Sequence, residues 1–424
     1  MQEDFLHYIW KYKKFDTNNL KTTKGESIII HSSGAHNHNS GPDFFNAKIE
    51  INNQLWAGNV EIHVKTNDWF VHHHEDDPAY DNVILHVVWE DDGVVYRKDN
   101  TTIPTLQLND CLSEDLMDNY KTLFSKKEKW INCEYGFAEI DDFVIQNWLE
   151  KLYIERLERK YLDIETLLKK SKNDWEAVLF KMLSRSFGLK VNGDAFYSLA
   201  NSFDFSILRK IQSNLIQLEA LFFGQLRLLE TDNQDPYVLK LQNEYKFLKQ
   251  KFRLENDKIT PVQFFRLRPS NFPTIRLSQL ANVYHQSQNL FFQIINASTK
   301  EDIYNLFLVQ VSPFWEVHYT INKISKKSRK RITESFIDLL IINTIIPLKF
   351  CYARHRGQQI NEIIIQLVRS ISSEKNSTID SFNKLKKVSK SALDSQALIQ
   401  LKQQYCDVNK CLQCDIGNTL LSNN

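Results

Sequence analysis

The sequence predicts an α+β protein, with a β-sheet in an N-terminal domain and a mostly α-helical remainder. Three observations support this prediction. Before residue 135, short segments of alternating apolar and polar residues are separated by turn residues, a pattern typical of strands. From residue 141 onward, apolar residues recur every three to four positions over long stretches, as in amphipathic helices. The 424 residues also exceed what one ordinary core holds, so more than one domain is expected.

The predicted N-terminal domain, residues 1–135, has its elements in the order α, β, β, β, short α, β. The sequence Asn52-Asn53-Gln54 is a tight hairpin signal between the second and third strands. Residues 136–400 are predicted to form a mostly α-helical domain, and residues 401–424 a cysteine-bearing tail. The predicted N-terminal ranges are a helix over 3–14, strands over 26–31, 43–51 and 55–65, a short helix or structured loop over 67–82, and a strand over 83–90.

The composition is that of an ordinary globular protein without a strong overall charge. The formal net charge is +1 at pH 7, so any binding to nucleic acid must come from local patches. The N-terminus lacks the apolar core of a signal peptide, which argues against secretion. The most apolar segment, residues 335–350, is predicted to be broken by Asp338, Asn343 and Pro347 and to be too short and too polar to span a membrane. The protein is therefore predicted to be cytoplasmic, without membrane contact.

Two acidic residues occupy strand positions where burial normally excludes charge. Asp43 begins one predicted strand, and Glu61 lies on its hairpin partner. Because side chains alternate along a strand, Glu61, His63 and Lys65 share one face. Two carboxylates from adjacent strands can hold Mg²⁺ or Mn²⁺, and a nearby imidazole or amine can position the attacking water. These residues predict a metal site; the simpler interpretation is a turn aspartate and a glutamate on a solvated face.

The same residues resemble the PD-(D/E)XK nuclease superfamily. Pro42-Asp43 is followed, after seventeen intervening residues, by Glu61-Ile62-His63 on a strand, and the core of that superfamily is also α-β-β-β-α-β. The resemblance implies that Asp43 and Glu61 bind Mg²⁺ or Mn²⁺ and that an acid of the first helix, here Glu3, assists. It also implies hydrolysis of phosphodiester bonds in DNA or RNA.

The chain departs from the superfamily at one position. The superfamily has a lysine two residues after the second acid, whereas this chain has His63 there and Lys65 two residues later. A neutral histidine can accept a proton as a lysine can, and it can also bind a metal. The alternative function is therefore a catalytically inactive nucleic-acid-binding or scaffold protein that keeps the nuclease fold.

The chain as a whole also resembles an uncharacterised bacterial family defined by a domain of unknown function. The shared residues include GPDFFNAKI, GNVEIHVKTNDW and the terminal YCDVNKCLQCDIG. This resemblance covers nearly all of the sequence and implies no particular activity.

Residues 72–77, with three histidines and two aspartates, offer many potential zinc ligands. Three adjacent residues cannot all face one ion in a regular helix or strand, so a zinc hydrolase is the weaker interpretation. In nucleases that resemble the RecB branch of the superfamily, the helix after the β-strand that carries the second acid adds a polar residue and a tyrosine four positions apart. Asp76 and Tyr80 have that spacing, and the resemblance implies that they contact the scissile phosphate or the DNA strand. The simpler interpretation is a polar helix start capped by Asp76 or Asp77. His86 is predicted to be a hydrogen-bonded core histidine.

Three cysteines near the C-terminus, Cys406, Cys411 and Cys414, are close enough in sequence to share one metal ion. The fourth ligand is expected to be Cys133 or Cys351. Zinc suits such a set, and some nucleases similar to the superfamily close a 4Fe–4S cluster with one distant and three C-terminal cysteines. The alternative is a group of unlinked thiols.

A basic segment of the predicted helical domain is a candidate contact for nucleic acid. Arg266 and Arg268 are interleaved with Phe264, Phe265 and Phe272, and such a combination can neutralise phosphates and stack on bases. The alternatives are a solvated basic surface and aromatic rings that belong to the core.

Overall fold

A computed structural model of the chain describes residues 3–37, 39–125, 129–359 and 361–422. Its contacts group the chain into two compact units. Residues 1–148 together with 401–424 form the first unit, and residues 149–400 form the second. The predicted α+β class is confirmed, because the sheet lies in the first unit and helices dominate the second. The cysteine-bearing segment joins the first unit, although the whole second unit separates them in sequence.

The first unit begins with a helix and continues into the strands of its sheet. The elements of this unit are α1 (Glu3–Tyr12), β1 (Ile28–Ser32), β2 (Ala35–His36), β3 (Phe44–Ile51), β4 (Gln54–Lys65), α2 (Asp68–Val71), β5 (Val83–Glu90), β6 (Thr105–Gln107), α3 (Glu114–Leu123), the start of α4 (Asp142–Lys170) and, near the C-terminus, a helix over Asp415–Ser422.

The sheet has the strand order β1-β3-β4-β5-β6, and β2 pairs with β3. The pairs β1–β3 and β3–β4 are antiparallel, whereas β4–β5 and β5–β6 are parallel. Asn52 and Asn53 both have positive φ, 49° and 64°, which is the geometry of a two-residue hairpin turn. The predicted hairpin is therefore present, with Ile51 paired to Gln54.

Apolar residues cover both faces of the sheet. On one face, helix α1 buries Phe5, Leu6, Ile9 and Trp10 against a cluster that includes Ile62. On the other face, a second cluster is built from the connection between β4 and β5, the first residue of β5 and the segment after β5, namely Trp69, Tyr80, Val83, Val95 and Ile103. Glu61 and His63, which alternate with the apolar residues of β4, therefore lie beneath a covering layer. The interpretation of Glu61 as a residue of a solvated face is wrong, since it is only 4% exposed.

The second unit is built mainly from helices. A short hairpin, β7–β8, lies among them; it was not predicted, because its strands have only three and two residues. The elements are the remainder of α4, α5 (Trp175–Phe187), α6 (Leu189–Asn201), α7 (Phe205–Ile211), α8 (Leu215–Gln225), α9 (Pro236–Phe252), α10 (Pro273–Gln286), α11 (Leu290–Asn296), α12 (Lys300–Phe307), α13 (Pro313–Glu316), β7 (His318–Thr320), β8 (Lys323–Ile324), α14 (Glu334–Leu340), a π-helical segment (Ile341–Ile345), α15 (Ile346–His355), α16 (Asn361–Arg369), α17 (Ser377–Leu385) and α18 (Ala392–Leu401).

The predicted interruption of the apolar segment is wrong. Residues Glu334–His355 form one helical segment of 22 residues with a mean hydropathy of 1.6, long and apolar enough by those criteria to cross a membrane. Pro347 is tolerated because the π-helical turn before it changes the hydrogen bonding: the amide of Ile346 donates to Ile341, five residues back. However, 78% of the apolar window is buried inside the protein, as in a core helix of a soluble protein. The cytoplasmic location stays a prediction.

Candidate metal centre

Backbone hydrogen bonds link the two predicted acidic ligands. The amide of Asp43 donates to Oε2 of Glu61 at 3.1 Å, and the amide of Ile62 donates to Oδ2 of Asp43 at 3.0 Å. This exchange is possible because β3 and β4 are adjacent and antiparallel, with Phe44 paired to Val60. The pairing therefore brings Asp43 and Glu61 together at one end of the hairpin.

Two histidines contact the second oxygen of Glu61, and a third histidine lies beside them. Oε1 lies 3.2 Å from Nε2 of His74 and 3.5 Å from Nε2 of His63. Nδ1 of His72 lies 3.1 Å from Nε2 of His63, and the three imidazoles each place a nitrogen within 4.8 Å of the others. Two ligands bound about 2.1 Å from one ion stand about 3.0 Å apart at a right angle and about 3.4 Å apart at the tetrahedral angle. The separations of 3.1, 3.2 and 3.5 Å are close to these values.

A change of backbone direction brings His72 and His74 to the same place. Helix α2 ends at Val71, and His73 then adopts a left-handed conformation with φ of 59°, so that its neighbours on either side reach one site. Tyr80 stacks on the ring of His74 with centroids 3.8 Å apart, and the buried Trp69 meets the same ring edge-on at 5.3 Å. As expected, the three adjacent histidines do not all belong to one site. His72 and His74 converge, and His73 is outside the group.

A fourth histidine orients His63 from behind. Nδ1 of His63 lies 2.8 Å from Nε2 of His86, which is completely buried, as predicted for a hydrogen-bonded core histidine. Burial and neighbouring histidines lower the pKa of His63 to about 2, and burial lowers the pKa of His86 to about 3. Both rings are therefore neutral. In the tautomer in which Nδ1 of His63 donates to His86, the Nε2 lone pair of His63 is directed at the cluster, and metal-bound histidines commonly donate their other ring N–H in this way.

Helix α1 contributes a further histidine and an acid. Nε2 of His7 lies 3.2 Å from Oδ2 of Asp43. Glu3 stands one helical turn earlier on the same helix face, and burial, followed by the charge of Asp43, raises its pKa. Burial lowers the pKa of His7, but the hydrogen bond to Asp43 and the charge of Asp43 outweigh it and raise the pKa overall. His7 and Asp43 thus stabilise each other's charged forms beside the cluster.

The ionisation of Glu61 supports the same interpretation. Burial, and then the negative charge of Asp43, raise the pKa of Glu61 to about 9. Without a cation, the two carboxyl groups cannot both be ionised at neutral pH at low cost. A divalent ion between Glu61 and the three imidazoles would remove this conflict, and the donor set of nitrogen and oxygen atoms fits a transition metal better than Mg²⁺.

The other predicted residues of this site are divided between the cluster and the surface. Tyr80 lies at the cluster, where burial and the charges of Glu61 and Asp43 raise the pKa of its phenol to about 12. Lys65 is exposed, and its Nζ lies 4.0 Å from Glu90. Asp76 is also exposed.

Asp77 provides the cap that was considered for this segment. Its side chain accepts a hydrogen bond from Ala79 and caps the short 3₁₀ helix that carries Tyr80.

A groove of about 410 Å³ extends from His7 along helix α1. Its lining includes the cations Lys11 and Lys410 and the ring of Tyr12, together with the acid Asp4. Amines and aromatic rings in one groove are the combination that binds a single nucleic-acid strand.

Arg266 and Arg268 lie in the second unit, and both are exposed. The guanidinium of Arg266 lies 5.1 Å from the ring centroid of Phe265, which is 76% exposed. Phe264 instead packs edge-on against Phe272 at 5.2 Å. One of the aromatic rings is thus available at the surface, and two contact each other.

The C-terminal cysteines lie together in the first unit. Cys406, Cys411 and Cys414 line a small cavity with Cys133, whereas Cys351 belongs to the second unit. Cys133 is thus the fourth thiol at the cavity. Burial raises the pKa of each of these four thiols, to about 12 for Cys414.

Polar groups from the surrounding backbone and side chains point to these sulfurs. Nδ2 of Asn132 donates to Sγ of Cys411 at 3.3 Å, and the amides of Ile416 and Gly417 hydrogen-bond the sulfur of Cys414. A Cβ at Gly417 would lie 2.1 Å from the carbonyl oxygen of Cys411, so the chain can approach this closely only at a glycine. Hydrogen bonds to sulfur are a regular feature of sites that bind thiolate-ligated metals.

Sequence reasoning missed His7. The spacing of Glu3 and His7, four residues apart on one amphipathic helix, was the signal that could have identified it.

Comparison with known proteins identifies the family of the chain. No curated protein and no solved structure matches the sequence. The model of the family described as "Protein of unknown function (DUF2851)" matches residues 3–377, which is most of the chain. The chain therefore belongs to the DUF2851 family.

Proposed function

We propose that this protein is a metal-dependent nuclease that hydrolyses phosphodiester bonds of DNA or RNA. The observation that carries the proposal is the convergence of Glu61 with His63, His72 and His74, next to Asp43. The resemblance to the PD-(D/E)XK superfamily agrees with the position of Asp43 and Glu61 on adjacent strands. The groove beside His7, with its lysines and tyrosine, supports a nucleic-acid substrate.

The ligands of the proposed metal are Glu61 Oε1, His63 Nε2, His72 Nδ1 and His74 Nε2. Three imidazoles and one carboxylate favour Mn²⁺ over Mg²⁺ among the two ions expected from the sequence, and they also suit Zn²⁺. Asp43, His7 and Glu3 form the adjoining part of the cluster, where a second ion or the substrate would bind. When bound, a divalent cation supplies charge neutralisation at the phosphate and a water of lowered pKa.

The residues of the chain prepare the site in three ways. His86 can accept a hydrogen bond from Nδ1 of His63, which leaves the Nε2 lone pair of His63 facing the cluster. Tyr80, whose pKa is raised to about 12, keeps its proton at neutral pH and can donate a hydrogen bond to an anionic substrate oxygen. Glu3, whose pKa is raised, is placed on helix α1 to exchange a proton with the attacking water or the leaving group.

One observation favours the alternative function, a nucleic-acid-binding or scaffold protein without catalysis. The amine of Lys65 faces Glu90, and His63, which replaces the lysine of the superfamily, faces the metal ligands. A site without this lysine can bind metal and substrate and yet lack a group that activates water.

A cleavage assay separates the two functions. Protein stripped with a chelator and reloaded with Mn²⁺, Mg²⁺ or Zn²⁺ is incubated with end-labelled single- and double-stranded DNA and RNA. We expect cleavage by the wild type and by Glu90→Gln, a matched carboxylate change at an exposed position of the neighbouring strand. Glu61→Gln should lose at least about 100-fold in rate. Equal cleavage by Glu61→Gln would reveal a contaminant, and metal binding without any cleavage would support the alternative.

We further propose that Cys133, Cys406, Cys411 and Cys414 hold a metal centre that ties the C-terminal segment to the first unit. The four thiols line one cavity, and both a tetrahedral zinc ion and a 4Fe–4S cluster take four cysteine ligands. The iron and zinc content of protein purified without oxygen decides between the two.

A further inference from the structure

A cavity in the second unit is unrelated to the proposed metal centre. It has a volume of about 450 Å³ and is lined by residues of α4, α5, α6 and the π-helical segment Ile341–Ile345. This volume is within the range of small-molecule sites.

The lining of the cavity carries an excess of positive charge. Lys160, Lys181 and Arg185 contribute cationic groups, and the acid among the described lining residues is Asp163. Arg185 is paired with Asp194 at 3.3 Å in an exposed contact that water weakens. An anion in the cavity would therefore meet more positive than negative charge.

The amine of Lys160 is the most unusual group of the cavity. It makes no hydrogen bond or ion pair with any residue that the structure describes, and the cations Arg156 and Arg159 lie nearby on the same helix. Glu374 and Asp163 offset part of this repulsion. Burial, followed by the charge of Arg156, lowers the pKa of Lys160 to about 7. An ammonium in this position lacks a partner that a bound anion would supply.

Besides the charged residues, the lining of the cavity includes side chains with hydroxyl and amide groups. Ser186 and Thr344 share a hydrogen bond of 2.7 Å between their hydroxyls. Thr344 and Asn343 belong to the π-helical segment, and π-helical turns inside α-helices occur frequently at functional sites. The π turn thus contributes two polar side chains to the lining of a cavity that is otherwise bordered by regular helices.

We propose that this cavity binds a phosphorylated small molecule, whose phosphate group contacts Lys160, Lys181 and the hydroxyl pair of Ser186 and Thr344. A phosphate monoester carries up to two negative charges and three terminal oxygens, so it can neutralise the cations and accept hydrogen bonds from both hydroxyls. The remaining volume holds the organic part of the molecule, next to Tyr197 and Pro347.

Pyridoxal 5′-phosphate tests both the binding of a phosphate group in the cavity and the reactivity of the Lys160 amine. Its aldehyde condenses with an uncharged lysine amine, water leaves, and borohydride then transfers hydride to the imine carbon to give a stable secondary amine. Because a pKa of about 7 leaves much of Lys160 uncharged at neutral pH, we expect it to be labelled at least about tenfold faster than ordinary lysines. Peptide mass spectrometry locates the label, and Lys169, a 73% exposed residue of the same helix, serves as the matched control.

Three comparisons decide the result. Lys160→Met should lose the fast label, whereas Lys169→Met should keep it. Ribose 5-phosphate should protect Lys160 at concentrations at least about tenfold lower than inorganic phosphate does, because it also fills the organic part of the cavity. Thr344→Val, with an unchanged unfolding midpoint, should weaken this protection. Labelling spread evenly over exposed lysines, or no protection by either phosphate compound, would overturn the proposal. Equal protection by the two compounds would overturn the assignment to a phosphorylated molecule and indicate free phosphate.

Discussion

The Nε2 atom of His63 lies 3.5 Å from Oε1 of Glu61. The two residues stand two positions apart on one strand, and His63 is 1% and Glu61 4% exposed. Strand alternation places both side chains on the same face. The connection after β4 then covers this face and adds His72 and His74. A polar pair that would be hydrated on an open sheet thus becomes the buried side of a group of potential metal ligands, in which His74 is partly buried and His72 is exposed.

We predict that Glu61→Gln and Asp43→Asn each weaken divalent-metal binding by at least about 100-fold while the protein stays folded. Each amide keeps an oxygen that can accept the backbone hydrogen bond, and each change removes a carboxyl group from a site where two carboxylates oppose each other's ionisation. Isothermal titration with Mn²⁺ measures the affinity, and thermal unfolding of metal-free protein measures stability. The unfolding midpoints should hold or rise. A large fall in both midpoints would mean that the carboxylates are structural.

Metal binding should release protons at neutral pH. The pKa of Glu61 is about 9 in the metal-free protein, so Glu61 carries a proton at pH 7 that a bound cation must displace. Metal affinity should therefore rise with pH between about 7 and 9. Titrations in buffers of different ionisation enthalpy count the released protons, and the Glu61→Gln variant should release fewer.

The same pKa predicts how the stability of the metal-free protein depends on pH. The folded-state pKa of Glu61, about 9, lies above its ordinary value of 4.5, so the folded state retains a proton that the unfolded state loses. The resulting contribution to the free energy of unfolding is complete below pH 4.5 and is lost as the pH rises through 9. Relative to Glu61→Gln, metal-free wild type should thus become less stable between these values. A difference that does not change with pH would contradict the shift.

His86 should act on the metal through His63. Replacing it with leucine leaves Nδ1 of His63 buried without its partner, which costs about 1–3 kcal/mol of stability. Metal affinity should fall about 10–100-fold, less than on loss of a ligand. His31→Leu is the matched control, because His31 is half-exposed and contacts Glu50. Affinity unchanged in His86→Leu would separate this histidine from the metal site.

The cysteine site should depend on Cys133 and be independent of Cys351. Cys133→Ser and Cys411→Ser should release iron or zinc and make residues 401–422 more sensitive to proteolysis, whereas Cys351→Ser should keep the metal. Protein purified without oxygen should be brown and bleach on reduction if the centre is an iron–sulfur cluster. Protein that contains neither iron nor zinc would contradict the site.

The sequence predicted the parts of the metal centre that depend on regular periodicity. Asp43 and Glu61 could be identified because hairpin pairing and strand alternation follow from local sequence. His72 and His74 could not be assigned to one ion, because their convergence depends on the left-handed conformation of His73 and on packing against Trp69 and Tyr80.

Long-range packing limited the other predictions. Whether Cys133 or Cys351 joins the three C-terminal cysteines depends on how the chain returns to the first unit, which residue spacing does not determine. Pro347 was expected to interrupt its helix, but a π-helical turn over Ile341–Ile345 precedes it and the helical segment continues.

The most direct test of the account is the location of a bound metal. Crystals of the protein saturated with Mn²⁺ or Zn²⁺ give an anomalous-difference peak at each ordered ion. The account predicts a peak about 2.1 Å from Nε2 of His63, Nε2 of His74, Nδ1 of His72 and Oε1 of Glu61, and its loss in His74→Ala. A saturated crystal without a peak at this cluster, or with ions bound only at exposed residues such as His73 and Asp76, would contradict it.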